Sequence, residues 1–169
     1  MLKRTGVFIT AMLVFTFISQ AAFAAVKVPG RTRFSVNDYA NVIDADTKRQ
    51  LETLLKDFNK RHKQIEIVLT TIPSLEGTKL QTFVHEYAYK WRRIWPMRNE
   101  SRVHFVVAVK EQRMRLGVSH TLEGILTENV SQKLLDEVIL PEFAKQNYSE
   151  GIRQGTLKIV EILEPVDIK

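Results

Sequence analysis

Cysteine is absent from all 169 residues. That excludes a disulfide framework and an N-terminal lipid-modified cysteine. A chain without disulfides rests on its core alone. Glycine is scarce, at seven residues, and no Gly-rich phosphate loop is present. No serine sits in a nucleophile elbow. His62, His85 and His104 are scattered, and no pair has metal-ligand spacing on a predicted element. There is no internal repeat and no low-complexity tract. After the N-terminal segment no apolar run is long enough to span a bilayer.

What is present is an ordinary globular composition, with 44% hydrophobic and 26% charged residues. The length suits one domain with a sizeable core. Lys3 and Arg4 precede an uncharged stretch from Thr5 to Val26, and Ala22-Phe23-Ala24 supplies small residues at its end. That order is the n-region, h-region and cleavage site of a secretory signal peptide. Residues 1–24 are therefore expected to be removed, giving a periplasmic or secreted protein. The alternative is an uncleaved membrane anchor. Loss of Lys3 and Arg4 lowers the formal charge from +6 to +4. Mild attraction to anionic surfaces follows, such as lipid headgroups or cell-wall polymers. Nucleic acid is not expected, because the basic residues are interleaved with acids.

Residues 25–33 read as a linker around Pro29-Gly30, and residues 165–169 as a C-terminal tail. The domain between them spans residues 34–164. Phe34–Val36 reads as a short edge strand, followed by a turn at Asn37–Ala40. Asp44 is a helix N-cap with Asp46 in the first turn, and Leu51, Leu54, Leu55 and Phe58 follow at helical spacing. Ile65–Ile72 is rich in β-branched residues and reads as a central strand. Leu80, Phe83, Val84, Tyr87, Ala88 and Trp91 mark one face of a helix over 78–92. Arg102–Val109 is a strand apolar on both faces; Gln112–Val118 alternates as its half-exposed hairpin partner. From Thr127 two i+4 rows run through Val130, Leu134, Val138 and through Leu135, Ile139, Phe143, with a break or kink expected at Pro141. Tyr148 opens the last helix, where Gly151 and Gly155 let a neighbour approach closely.

The strand 65–72, helix, strand 102–109 unit predicts a right-handed parallel crossover. The expected class is α/β: a three-layer α/β/α sandwich with a small mixed sheet and helices on both faces.

Four stretches carry a resemblance to the TPM-domain family, together covering about Val36 to Leu163. They are Asn37–Asp44; Tyr87-Ala88-Tyr89-Lys90-Trp91; Leu122–Glu128; and Ile139–Phe143 with Asn147–Gly155. The resemblance implies an exported or membrane-anchored α/β/α sandwich. It also implies links to acid phosphatase activity, divalent-metal binding and maintenance of membrane protein complexes. This chain departs from the family where Gly-Tyr-Gly becomes Ser119-His120-Thr121 and where an Asp becomes Glu128. Glycines are also replaced around Arg92-Arg93-Ile94-Trp95 and at Arg102. Such losses remove positions that accept positive φ or let a ligand reach the backbone.

Two candidate sites follow. Asp38, Glu123 and Glu128 are three loop carboxylates suited to a hard cation, Ca²⁺ or Mg²⁺, if their loops meet. Each also has a plain structural use: a turn cap at Asp38, a turn tie at Glu123, a first-turn acid at Glu128. Arg92, Arg93, Arg98 and Arg102, with His120, would crowd the same sheet edge and hold a phosphate, a lipid headgroup or an acidic partner. The alternative places Arg92 and Arg93 at a helix C-terminus and the rest in solvent. Trp91 is expected in the core, with Trp95 flanking a cleft as the other possibility. The functional expectation is a non-catalytic accessory module binding a membrane protein or envelope component; the alternative is a metal-dependent acid phosphatase.

Overall fold

The computed structural model describes Pro29, residues 35–94 and residues 101–168. The expected signal peptide, nearly all of the linker, and Phe34 lie outside the described residues.

Eight residues of β2 (Ile65–Ile72) pair in parallel with eight of β3 (Ser101–Ala108), from Ile65 opposite Ser101 to Ile72 opposite Ala108. The β-branched content of both strands suits a ladder buried on two faces. Outside them lie β1 (Val36–Asp38), parallel to β2, and β4 (Arg113–Val118), antiparallel to β3. The strand order is β1-β2-β3-β4. The short edge strand is thus present but shifted: Asn37 and Asp38, expected in a turn, belong to it, paired with Thr70 and Thr71.

Helices cover both faces. On one face lie α1 (Ala45–Arg61), α3 (Glu128–Leu134), α4 (Leu140–Ala144) and α5 (Tyr148–Leu163). Their apolar side chains meet Ile65, Ile67, Leu69, Val103, Phe105 and Val107 of the sheet. On the other face α2 (Leu80–Ile94) lies alone over Val68, Ile72, Val106 and Ala108. The sandwich is therefore built around two separate cores. Val166 and Ile168, expected in a tail, pack against the larger one. Among the described residues no helix is long and apolar enough to cross a membrane.

Local chemistry sets the helix boundaries. Asp44 caps α1 by accepting from the N–H of Asp46 at 3.1 Å and of Thr47 at 2.8 Å. Thr127 caps α3 through the N–H of Val130 at 3.2 Å. The helical path does not stop at Pro141. Residues Leu135–Ile139 widen into one π-helical turn, and Pro141 then sits in the first turn of α4. The wide turn removes the clash between the ring and a preceding carbonyl, so of the break or kink expected at Pro141 the chain shows a local distortion of the helix rather than a stop. Leu134, Leu135, Ile139 and Phe143 are buried as the two rows require, whereas Val130 is 37% exposed.

The π turn also explains Gly155. Ile139 reaches so near α5 that a Cβ at Gly155 would stand 2.4 Å from its Cδ1. At Gly124 a Cβ would meet nothing within 4 Å. Gly155→Val is expected to lower unfolding stability by about 1–3 kcal/mol through overpacking. Gly124→Ala should stay within about 0.5 kcal/mol of the parent. Urea titrations of the two variants measure the contrast.

Candidate functional site

Because β1 and β2 run parallel, Asp38 leaves the sheet at the C-terminal end of β2, opposite Thr71. Glu123 and His120 follow β4, whose end pairs with Val103 near the start of β3. These are opposite ends of the sheet. Thr71 pairs with Val107 and Val118 with Val103, so at ~3.3 Å per residue the two levels stand about 13 Å apart along the strands, with β2 and β3 between their edge strands. The expected meeting of Asp38 with Glu123 is therefore not realised, and Glu128 pairs instead with Arg115 on the opposite edge strand. The sequence showed that Asp38 sat near a turn, but not the direction in which its strand pairs. Among the described residues no group of three or more His, Asp or Glu is arranged to hold a metal ion.

Each carboxylate has a local partner. The Asp38 carboxylate accepts from the N–H of Val42 at 3.2 Å and of Ile43 at 3.0 Å, and from the Thr71 hydroxyl. It closes the loop into α1, in which Asn41 takes a left-handed φ of 55°. Glu123 Oε2 lies 3.0 Å from His120 Nδ1, and the His120 side chain is 98% exposed. Glu128 stands in the first turn of α3, 3.6 Å from Arg115 on β4.

The basic group is only partly assembled. Arg102 is buried and donates from Nε to Glu66 Oε2 at 2.8 Å, with the two residues paired across β2 and β3. It is a structural cation rather than a ligand-facing one. Arg92 and Arg93 occupy the last turn of α2, at the same end as His120; their side chains, and Arg98 and Trp95 entirely, lie outside the described residues. Trp91 is in the core, as its place on the apolar stripe predicts. Lys60, Arg61 and Lys63, exposed where α1 runs into β2, share this end. Arg61 makes a two-pronged pair with Glu164 at 3.1 and 3.2 Å.

The end that carries Asp38 holds a cleft of about 350 Å³ absent from the sequence reading. It opens where the N-termini of α1 and α5 meet, between Val42, Asp44, Thr47, Asn147 and Glu150. The Ser149 hydroxyl donates to the Asp44 carboxylate and accepts the Asp44 N–H at 3.2 Å. The Ser149 hydroxyl, then the Thr47 N–H, hold the Asp44 carboxyl far below the usual range. Glu150 is lowered to about 2, first by Arg153 and then by Gln154, whose nitrogens lie 2.7–2.8 Å away. The cleft thus presents ionised acids that neighbours already satisfy. Sequence marks both segments as helix starts; nothing in either says that the two starts touch.

A small mixed sheet sandwiched between one helix and a multi-helix layer, with a loop-closing Asp after a short parallel edge strand, defines a class of α/β/α domains. Residues 36–162 match the TPM domain, and the chain belongs to that family. Solved structures of three bacterial proteins share the fold. The N-terminal domain of a P. gingivalis protein has a TM-score of 0.70 at 22% identity, covering 78% of this chain and 82% of that one. The BA42 protein of the psychrophile Bizionia argentinensis has a TM-score of 0.60 at 13% identity, covering 73% and 82%. The N-terminal domain of the cg2496 protein of Corynebacterium glutamicum has a TM-score of 0.56 at 12% identity, covering 80% and 83%. No curated protein matches the chain.

The bonds at Asp38 and Arg102 give two measurable consequences. Asp38→Ala orphans two loop N–H groups and a hydroxyl, and should cost about 1–3 kcal/mol in urea unfolding with EDTA present throughout. Arg102→Ala removes the charge-assisted bond to the mostly buried Glu66, and should cost about 1.5–3 kcal/mol. Loss of stability in metal-free buffer separates these structural roles from ligand binding.

Proposed function

We propose that this TPM domain is an exported, non-catalytic binding module that serves a membrane protein or another envelope component through the basic end of its sheet. The observation that carries the reading is the group of exposed basic residues at one end of the sheet. At the Asp38 end, that carboxylate is spent on Val42, Ile43 and Thr71. At the other, Lys60, Arg61 and Lys63 are exposed where α1 runs into β2, with Arg61 paired to Glu164, and the last turn of α2, which contains Arg92 and Arg93, lies at the same end. Such an end suits an acidic protein surface or headgroup, which exposed cations attract over roughly 8–10 Å in physiological salt. The apolar, charge-flanked N-terminal segment supports delivery to the envelope.

The test is capture of envelope components by the C-terminally tagged full chain, with Lys63→Glu and Arg93→Glu combined. Recovery of a specific envelope component should fall at least tenfold in the double variant and persist in Asp38→Ala. Equal recovery by the double variant and the parent would overturn the reading. The family's other suggested activity, a metal-dependent acid phosphatase, would instead give phosphate-ester turnover that Ca²⁺ or Mg²⁺ raises and EDTA abolishes.

A further inference from the structure

His104 stands in the middle of the face that α2 covers. It is 3% exposed, and its Nδ1 is buried without a hydrogen-bond partner. Two aromatic rings of α2 close over it edge-on, Tyr87 with centroids 5.5 Å away and Trp91 at 5.8 Å. Across the ladder on β4 stands Gly117, with no side chain to offer. On its own strand the nearest charge on this face is Arg102, a cation. The nearest carboxylate, Glu66 on β2, is held by that arginine. From β2, Thr70 donates to the Tyr87 hydroxyl at 2.8 Å rather than to the imidazole. No described group facing His104 is placed to stabilise an imidazolium.

The two cores add the second half of the argument. The apolar residues under α2 form their own cluster, made by one helix, the turn before it and one sheet face. The larger cluster on the opposite face does not include them. Loss of α2 packing therefore leaves the other layer with its contacts.

We propose that the α2 layer is an acid-operated latch: protonation of His104 lifts α2 from the sheet while α1, α5 and the larger core stay folded. The product of opening is an exposed aromatic stripe of Phe83, Tyr87 and Trp91. The latch rests on His104 and not on the charges of the basic end, although Arg92 and Arg93 ride on the same helix.

The direction follows from linkage. Burial first, and the Arg102 charge second, push the folded His104 pKa down to about 3. An exposed imidazole titrates near 6.5. Above about 6.5 neither form binds the proton, and opening gains nothing. Between about 6.5 and 3 only the open form binds it, so the open population rises about tenfold per pH unit. At pH 4.5 it is about 100-fold larger than at neutral pH. His85, on the exposed face of α2, is a second imidazole on the same helix and must be separated from His104.

Hydrogen exchange resolved by helix provides the test, on the parent, His104→Phe and His104→Gln at pH 7.0, 5.5 and 4.5. In the parent, protection of α2 amides, corrected for intrinsic exchange, should fall about 100-fold between pH 7.0 and 4.5 while that of α5 changes little. In His104→Phe, which retains His85, the α2 response should be flat. Joint loss of α2 and α5 protection would mean global unfolding and overturn the latch. So would an α2 response unchanged in the variants. If neither variant folds, the His104 ring signals in the parent decide: titration near 6.5 with α2 still protected overturns the proposal, and titration together with loss of α2 protection supports it.

Discussion

The direction in which strands pair is the constraint on which the rest of this molecule depends. β2 and β3 run parallel over eight residues, so the connection between them must return along the sheet. That return is α2, and it occupies one face by itself. β1 is parallel as well, which delivers Asp38 to the far end of the sheet from the turn after β4. Ladder hydrogen bonds therefore decide which polar residues can ever meet.

Much of the fold was legible from residue type and spacing. The strand at Ile65–Ile72, the Asp44 cap and the apolar stripe ending at Trp91 appear where the sequence places them. These features are local: a cap needs a side chain three residues from its N–H, and a buried face needs apolar residues at the right period. Pro141 marks a break or kink for a sound local reason, and which of the two occurs is decided by one π turn, with Ile139 packed against α5, that carries the distorted helix through. Asn37 and Asp38 looked like turn residues, and pairing with Thr70 and Thr71 made them a strand.

The candidate site was less legible. Arg102 appeared as one of several surface arginines, and only the register beside Glu66 makes it a buried ion-pair member. The cleft between α1 and α5 joins residues more than a hundred positions apart, and Ser149 shows no sign in the sequence of its bond to Asp44. His104 looked like one histidine among scattered others, because burial and the absence of a partner are properties of its neighbours. Arg102 finds its carboxylate directly across the ladder.

The sequence by itself determined the elements and the two-sided burial of the central strands, since both rest on near-neighbour periodicity and capping, while the family showed in the resemblance of four stretches. Tertiary structure alone decided that Asp38 and Glu123 occupy opposite ends of the sheet, that Asp38 serves its own loop, and that His104 Nδ1 is buried without a hydrogen-bond partner beneath one helix. The physical reason is that strand direction and register are settled by burying both faces of the sheet together, a cooperative condition that no single segment contains.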